Sequence, residues 1–225
     1  MRLGYTAQQV RDAEAPHLAA GEPLMARAAA AVAAAVRDLL AVRGGVPGRV
    51  LLLVGSGNNG GDALFAGAEL AGGGCRVTVA ELGSRTHEAG LAAALDAGSR
   101  TVSASDIVAT AGDTDVIVDG ILGTGAVESP ALRGVARDIV AELLPLLGRP
   151  DAPAVVAVDI PSGIHPDDGS VPEPAVLPAD VTVTFGGYKA GLLQGPGARF
   201  AGDVRLAAIG IEDDLAAVEP AVRVP

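Results

Sequence analysis

The chain has 225 residues, 49% of them hydrophobic, enough to fill a sizeable core within one compact unit. Sixteen basic against 27 acidic side chains give a formal charge of −11, which repels nucleic acid and anionic lipid, and three Phe, two Tyr and no Trp offer little to stack bases on. Cys75 alone excludes an internal disulfide and a cysteine-rich zinc site, no apolar run approaches the roughly 20 residues that span a bilayer, and nothing after Met1 reads as an export signal. A cytoplasmic protein with neither nucleic acid nor membrane as partner is expected.

In chain order, the Ala-, Leu- and Arg-rich stretches 7–20 and 23–42 predict two helices, punctuated by Gly21 and by Gly44-Gly45-Val46-Pro47-Gly48. Short apolar runs then alternate with helical stretches: strand 50–54, helix 61–72, strand 76–80, helix 87–98, strand 116–118, helix 131–147, and strands 154–158, 181–185 and 204–208. Strands alternating with helices imply parallel pairing, and runs apolar on both sides imply a sheet buried on both faces. The expected fold is a three-layer α/β/α sandwich with a mainly parallel central sheet. One domain spans 1–225, with N-terminal helices 1–45 packed on an α/β core 46–225, and neither an internal repeat nor a long linker interrupts it.

Val50-Leu51-Leu52-Leu53-Val54 empties into Gly55-Ser56-Gly57-Asn58-Asn59-Gly60-Gly61-Asp62, where glycines let a backbone come close while two amides and a carboxylate supply polar atoms. Three further runs end in the same way, in Asp119 with Gly123-Thr124-Gly125, in Asp159 with Pro161-Ser162-Gly163, and in Lys189 with Gly191. Ligands of open parallel sheets sit beyond the carboxyl ends of the strands, so these four loops are expected to meet at one rim. A helix opening at the first loop offers free N–H groups and a favourable dipole to a phosphate. The loop fits G-x-G-x-x-G by spacing, but that pattern alone is weak, and no acid closes the second strand where a ribose would be held, Glu81 being nearest. Hydride transfer is therefore under-supported.

Asn59, Asp119 and Ser162 provide an amide oxygen, a carboxylate and a hydroxyl. This hard-oxygen set suits an alkali or alkaline-earth cation, or else a hydrogen-bond network tying the loops together. Asp159 ends a buried strand, where desolvation suits a carboxyl to proton transfer; the alternative is a cap on the turn that follows. His17 and His87 read as ordinary helix residues, His165 and Asp167-Asp168-Gly169 as turn residues, and Cys75 as a small buried hydrophobe.

Gly57-Asn58-Asn59-Gly60-Gly61-Asp62, Asp119 with Gly123-Thr124-Gly125, Val158-Asp159-Ile160-Pro161-Ser162-Gly163, and Thr182-Val183-Thr184-Phe185 leading to Lys189 together resemble the NAD(P)H-hydrate epimerase family, the YjeF N-terminal domain. The Leu24-Met25 helix and the Ile209-Gly210-Ile211 ending extend the likeness over nearly the whole chain. The resemblance implies a Rossmann-like sandwich, commonly a homodimer, that interconverts the R and S epimers of hydrated NADH and NADPH (NADHX and NADPHX). A companion ADP- or ATP-dependent dehydratase, often fused C-terminally in bacteria, then restores the nucleotide from the S form.

By position, the resemblance implies that Asn58, Asn59, Gly60, Gly61 and Asp62, the loop Gly123, Thr124, Gly125, Ala126, Val127, Glu128 and Ser129, and Asp159 bind the hydrate. It implies that Asn59, Asp119 and Ser162 hold a potassium ion, K+. Asp159 is then the expected proton-transfer group, with Lys189 orienting phosphate or a neighbouring carboxylate. The chain departs from the family pattern at Ala26, where an acid is usual, at Gly120, where Ala is usual, and at Ala126-Val127-Glu128, which lacks a basic side chain. A non-catalytic nucleotide- or protein-binding module of the same fold is the alternative; retention of Asp62, Asp119, Asp159 and Lys189 argues for the enzyme. Dimer contact is expected through the Ala-rich N-terminal helices.

Overall fold

The computed structural model describes residues 1–44, 47–126 and 128–225. β1 (Arg2–Tyr5) leads into α1 (Ala7–Ala19) and α2 (Leu24–Val42), followed by β2 (Arg49–Val54), α3 (Asn58–Gly72), β3 (Arg76–Glu81), α4 (Glu88–Asp96) and β4 (Arg100–Thr101). Then come α5 (Ile107–Gly112), β5 (Val116–Gly120), α6 (Gly134–Leu147), β6 (Ala154–Val158) and β7 (Val181–Phe185). β8 (Tyr188–Lys189), α7 (Ala190–Leu193), β9 (Asp203–Ala207), α8 (Glu212–Ala216) and β10 (Val222–Val224) complete the order.

Seven strands pair in parallel in the order β4-β3-β2-β5-β6-β7-β9. The period of two along each strand sends alternate side chains to opposite faces. Val50, Leu52, Val54, Val116, Val118 and Val156 join one core with α2 and α3, while Leu51, Leu53, Ile117, Val155 and Ala157 join another with α5 and α6. Three layers result, as expected from strands apolar on both sides.

Local signals place the N-terminal helices over this sheet. Thr6 and Gln9 form a reciprocal capping box that starts α1, and Asp167 Oδ1 accepts the Ala7 N–H at 2.7 Å. On α2, Ala28, Ala29, Val32, Ala33, Val36 and Leu40 are buried in the core, and small side chains bring that helix close.

Three differences from the sequence reading have physical causes. A second sheet, β10-β1-β8, was not anticipated: its strands are short, and β1 pairs with residues more than 180 positions away, which no local pattern encodes. Helix α3 begins at Asn58, not Gly61, because tertiary fit overrides glycine's poor helix propensity there. α5, only six residues long, has no counterpart among the elements read from the sequence.

The histidines take the ordinary roles read for them. His17 stands between Glu22 and Asp214 at 2.8 Å from each, the His87 ring accepts the Gly90 N–H at the start of α4, and the His165 ring accepts the Asp167 N–H within its turn. Cys75 is only partly buried and precedes β3. No described helix is long and apolar enough to cross a membrane.

Candidate active site

β2 is followed in sequence by β3 and β4 on one side and by β5 on the other, so the strand order reverses between β2 and β5. Their carboxyl ends diverge there and open a crevice. The loops after the two strands touch: the Gly55 N–H donates to the Gly120 carbonyl at 3.1 Å. A Cβ at Gly55 would lie 1.8 Å from the Ile121 carbonyl oxygen, and one at Gly60 would lie 2.3 Å from that of Gly55. Only glycine permits both approaches. The first helical bond of α3 runs from the Gly61 N–H to the Gly57 carbonyl, which leaves the preceding N–H groups without helical partners at the crevice.

One corner of the site joins three loops. Asp119, 1% exposed at the end of β5, accepts the Ser162 hydroxyl at 2.6 Å and the Ser162 N–H at 2.9 Å. The Leu122 N–H donates to Ser162 Oγ at 2.8 Å, and Asn59 Nδ2 donates to the Leu122 carbonyl at 3.1 Å. Asn59, Asp119 and Ser162 are therefore brought together. Burial raises the Asp119 pKa, opposed by the bonds from Ser162 and from the Ile121 N–H, and no Lys, Arg or His pairs with it among the described residues. A buried carboxylate beside neutral oxygens, with no cationic side chain, fits a monovalent cation held by Asp119, Ser162, Asn59 and the Leu122 carbonyl. No group of three or more His, Cys, Asp or Glu placed to hold a metal ion occurs among the described residues.

The second corner is built differently. Asp159 follows β6 with φ of 68°, the one non-glycine in the left-handed region among the described residues. That conformation costs of order 1–3 kcal/mol and persists where surroundings impose it. The Asp159 N–H donates to the Val183 carbonyl at 2.8 Å, and its carboxylate accepts the Thr184 hydroxyl at 3.2 Å and pairs with the Lys189 ammonium. Lys189, 1% exposed, also donates to the Phe185 carbonyl at 2.9 Å. It lies behind Asp159 and does not line the cavity, so of its two expected roles the structure shows contact with a carboxylate.

Asp62, one turn into α3, is 8% exposed and has no hydrogen-bond partner shaping its titration. Burial above all, then the charges of Asp159 and Glu14, push its pKa up to about 8 against the pull of Lys189. Glu14 on α1 faces the same cluster, and its pKa is raised, first by burial and opposed by Lys189.

These groups open onto a cleft of about 1020 Å³, at the upper end of small-molecule sites and roomy enough for a dinucleotide. Asn58, Asn59, Asp62, Gly123, Thr124, Gly125, Glu128, Ser129 and Asp159 line it. Gly60 and Gly61 are packed beneath the wall, Val127 lies outside the described residues, and Ala126 closes a 3-10 turn from Thr124. Sequence reasoning missed Arg11, Glu14 and Leu18, which line the cleft from α1. Their i, i+3, i+7 spacing is one helix face and was available in the sequence. It also missed Arg133, which brings a cation to the cleft where Ala126-Val127-Glu128 has none. At Gly120 a Cβ would lie 2.6 Å from that of Ala63, so the glycine accommodates α3; Ala26 is exposed, and nothing in the structure explains its departure.

A family model described as YjeF-related protein N-terminus matches residues 21–191. A protein of Clavibacter michiganensis subsp. michiganensis named NAD(P)H-hydrate epimerase is 54% identical over 98% of this chain and 95% of its own. One of the same name from Microbacterium testaceum is 50% identical over 97% of this chain and 82% of its own. The bifunctional NAD(P)H-hydrate repair enzyme Nnr of Escherichia coli is 37% identical over 77% of this chain, which spans 33% of that protein. The crystal structure of the yeast protein ynu0 superposes with a TM-score of 0.77 at 20% identity, covering 96% of this chain and 94% of that one, a likeness of fold.

Proposed function

Since the chain belongs to the family of YjeF-related protein N-termini, we propose that it is an NAD(P)H-hydrate epimerase, an isomerase that interconverts the R and S epimers of NADHX and NADPHX in nicotinamide nucleotide repair. The observation that carries the chemistry is a pair of carboxyls in different surroundings at one cleft: Asp62 buried without a partner, its pKa pushed up to about 8, and Asp159 ion-paired with Lys189. Two environments that separate the roles of two acids are the mark of an acid–base site.

In the hydrate, the reacting ring carbon bears a hydroxyl and adjoins the ring nitrogen. Asp62 donates its proton to that hydroxyl; the C–O bond breaks with its electron pair leaving in water, and the nitrogen lone pair forms a C=N iminium. Water then adds to the other face, the C=N pair returns to nitrogen, and the Asp159 carboxylate takes the surplus proton. Lys189 positions Asp159 through the ion pair. The free N–H groups at the start of α3 receive phosphate oxygens, with Asn58, Thr124 and Ser129 along the wall. Leu24, Met25 and Phe185 add apolar surface to the cleft wall, against which the ring of the hydrate can pack.

Asn59, Asp119 and Ser162 hold K+ in this reading. When bound, the ion supplies positive charge to a buried carboxylate and neither redox nor acid–base chemistry. The protein acts in the cytoplasm as a homodimer, its residues 1–225 forming one domain. The outward face of α2, where Ala26, Ala30 and Ala34 are exposed, is the candidate contact. Its product feeds an ADP- or ATP-dependent dehydratase; the bifunctional name of the E. coli relative supports that coupling.

Two incubations test the reading: purified hydrate, with epimers resolved by chromatography, and NADPH with a panel of carbonyl compounds. Epimerisation without NADPH oxidation is expected. Neither reaction would favour the binding-module alternative, and NADPH oxidation would favour an oxidoreductase.

A further inference from the structure

The two-carboxyl reaction leaves a proton imbalance. Each conversion of R to S removes a proton from Asp62 and adds one to Asp159, so the next turnover in that direction requires one proton to move back. Both groups are largely buried, at 8% and 6% exposure, and face the cleft that Glu14 also lines.

Glu14 stands where that return path would run. It is carried by α1, outside all four strand-end loops, and lines the same cleft as Asp62 and Asp159 while remaining half-buried. Its titration is set by burial and by surrounding charges alone, with no hydrogen bond fixing its carboxyl among the described residues. The groups facing it are Lys189 and Asp159 at the ends of β8 and β6, Arg11 on its own helix, and Asp62 on α3. Arg11 is tied to the Thr124 carbonyl at 3.2 Å, which fixes α1 against the loop after β5, and Glu14, one turn along the helix, lines the cleft beside it.

We propose that Glu14 is the proton relay of the epimerase, a positioned carboxyl that exchanges protons between the buried pair Asp62 and Asp159 and solvent at the cleft mouth. This rests on the epimerase reading above. Only a proton moves: protonated Asp159 releases it to the Glu14 carboxylate by way of cleft water, and Glu14 passes that proton, or one taken from solvent in exchange for it, to Asp62, restoring the starting state. No bond of the substrate is touched, and no further reagent is needed.

Kinetics of Glu14→Gln and Glu14→Asp on purified R-hydrate, with and without small weak acids such as formate or imidazole, test the relay. In Glu14→Gln, kcat should fall at least about tenfold while KM stays near the wild-type value, and added buffer should restore the rate in proportion to its concentration. Glu14→Asp, which keeps a carboxyl, should retain most of the rate, and wild type should not respond to buffer. Wild-type kcat in Glu14→Gln, or a loss that buffer does not relieve, would overturn the relay. Inactivity of the wild-type protein itself would instead overturn the epimerase reading.

Discussion

The cation corner and the carboxyl corner use the same residue types to opposite ends. Asp119 is more buried than Asp62, yet its oxygens are engaged by a hydroxyl and two backbone N–H groups, all from loops that must meet for the fold to close. Asp62 has no such partners and shares its surroundings with Asp159, Glu14 and Lys189. Satisfied polar groups stiffen a junction, whereas an unsatisfied one retains a proton to give. Burial raises both carboxyls; the hydrogen bonds that oppose it at Asp119 and are missing at Asp62 set the two apart.

Exchanging amide for acid on each side should separate the corners. Asp62→Asn is expected to lower kcat by about 10²–10⁴-fold with the hydrate KM little changed, since it removes the proton and keeps the shape; retained turnover would erase the distinction. Asp159→Asn should also stop epimerisation, and it leaves the Lys189 ammonium buried alone, which costs about 3–5 kcal/mol in denaturant unfolding. Asp119→Asn loses only acceptor strength within its network, for which about 1–3 kcal/mol is expected.

The cation corner should also answer to salt. Replacing choline chloride by KCl at equal ionic strength should raise the melting temperature of wild type and leave that of Asp119→Asn unchanged, because a ligand bound only by the folded state stabilises it. An equal shift in both would detach the ion from this corner.

A further contrast concerns pH. The Asp62 pKa rises from an ordinary 3.8 to about 8 on folding. The stability linked to its neutral form is fully present below about pH 4 and lost progressively as pH rises through 8. Melting temperatures should thus decline from pH 5 to 9 more steeply in wild type than in Asp62→Asn; parallel curves would mean that Asp62 is solvated.

Most of the layered fold was legible because each strand and helix of the main sheet carries its own periodicity, and Val50–Val54 names a strand buried on both faces. Asp119, Asp159 and Asn59 were legible because residues at strand ends meet in a parallel sheet. What escaped notice depends on distant partners. The pairing of Arg2–Tyr5 with Val222–Val224 is invisible locally, and Glu14 looks like any polar helix residue until α1 is docked over the cleft. The division of labour between Asp62 and Asp159 was also hidden, since it follows from the Lys189 ion pair and not from either motif.

The central claim is that the cleft between β2 and β5 epimerises a hydrated nicotinamide nucleotide, and a time course on purified R-NADHX in KCl, resolved by chromatography, tests it most directly. Wild-type protein should bring the mixture to its epimer equilibrium far faster than buffer alone, and Asp62→Asn and Asp159→Asn should not. An R epimer that persists at the buffer rate with wild-type protein would contradict the account.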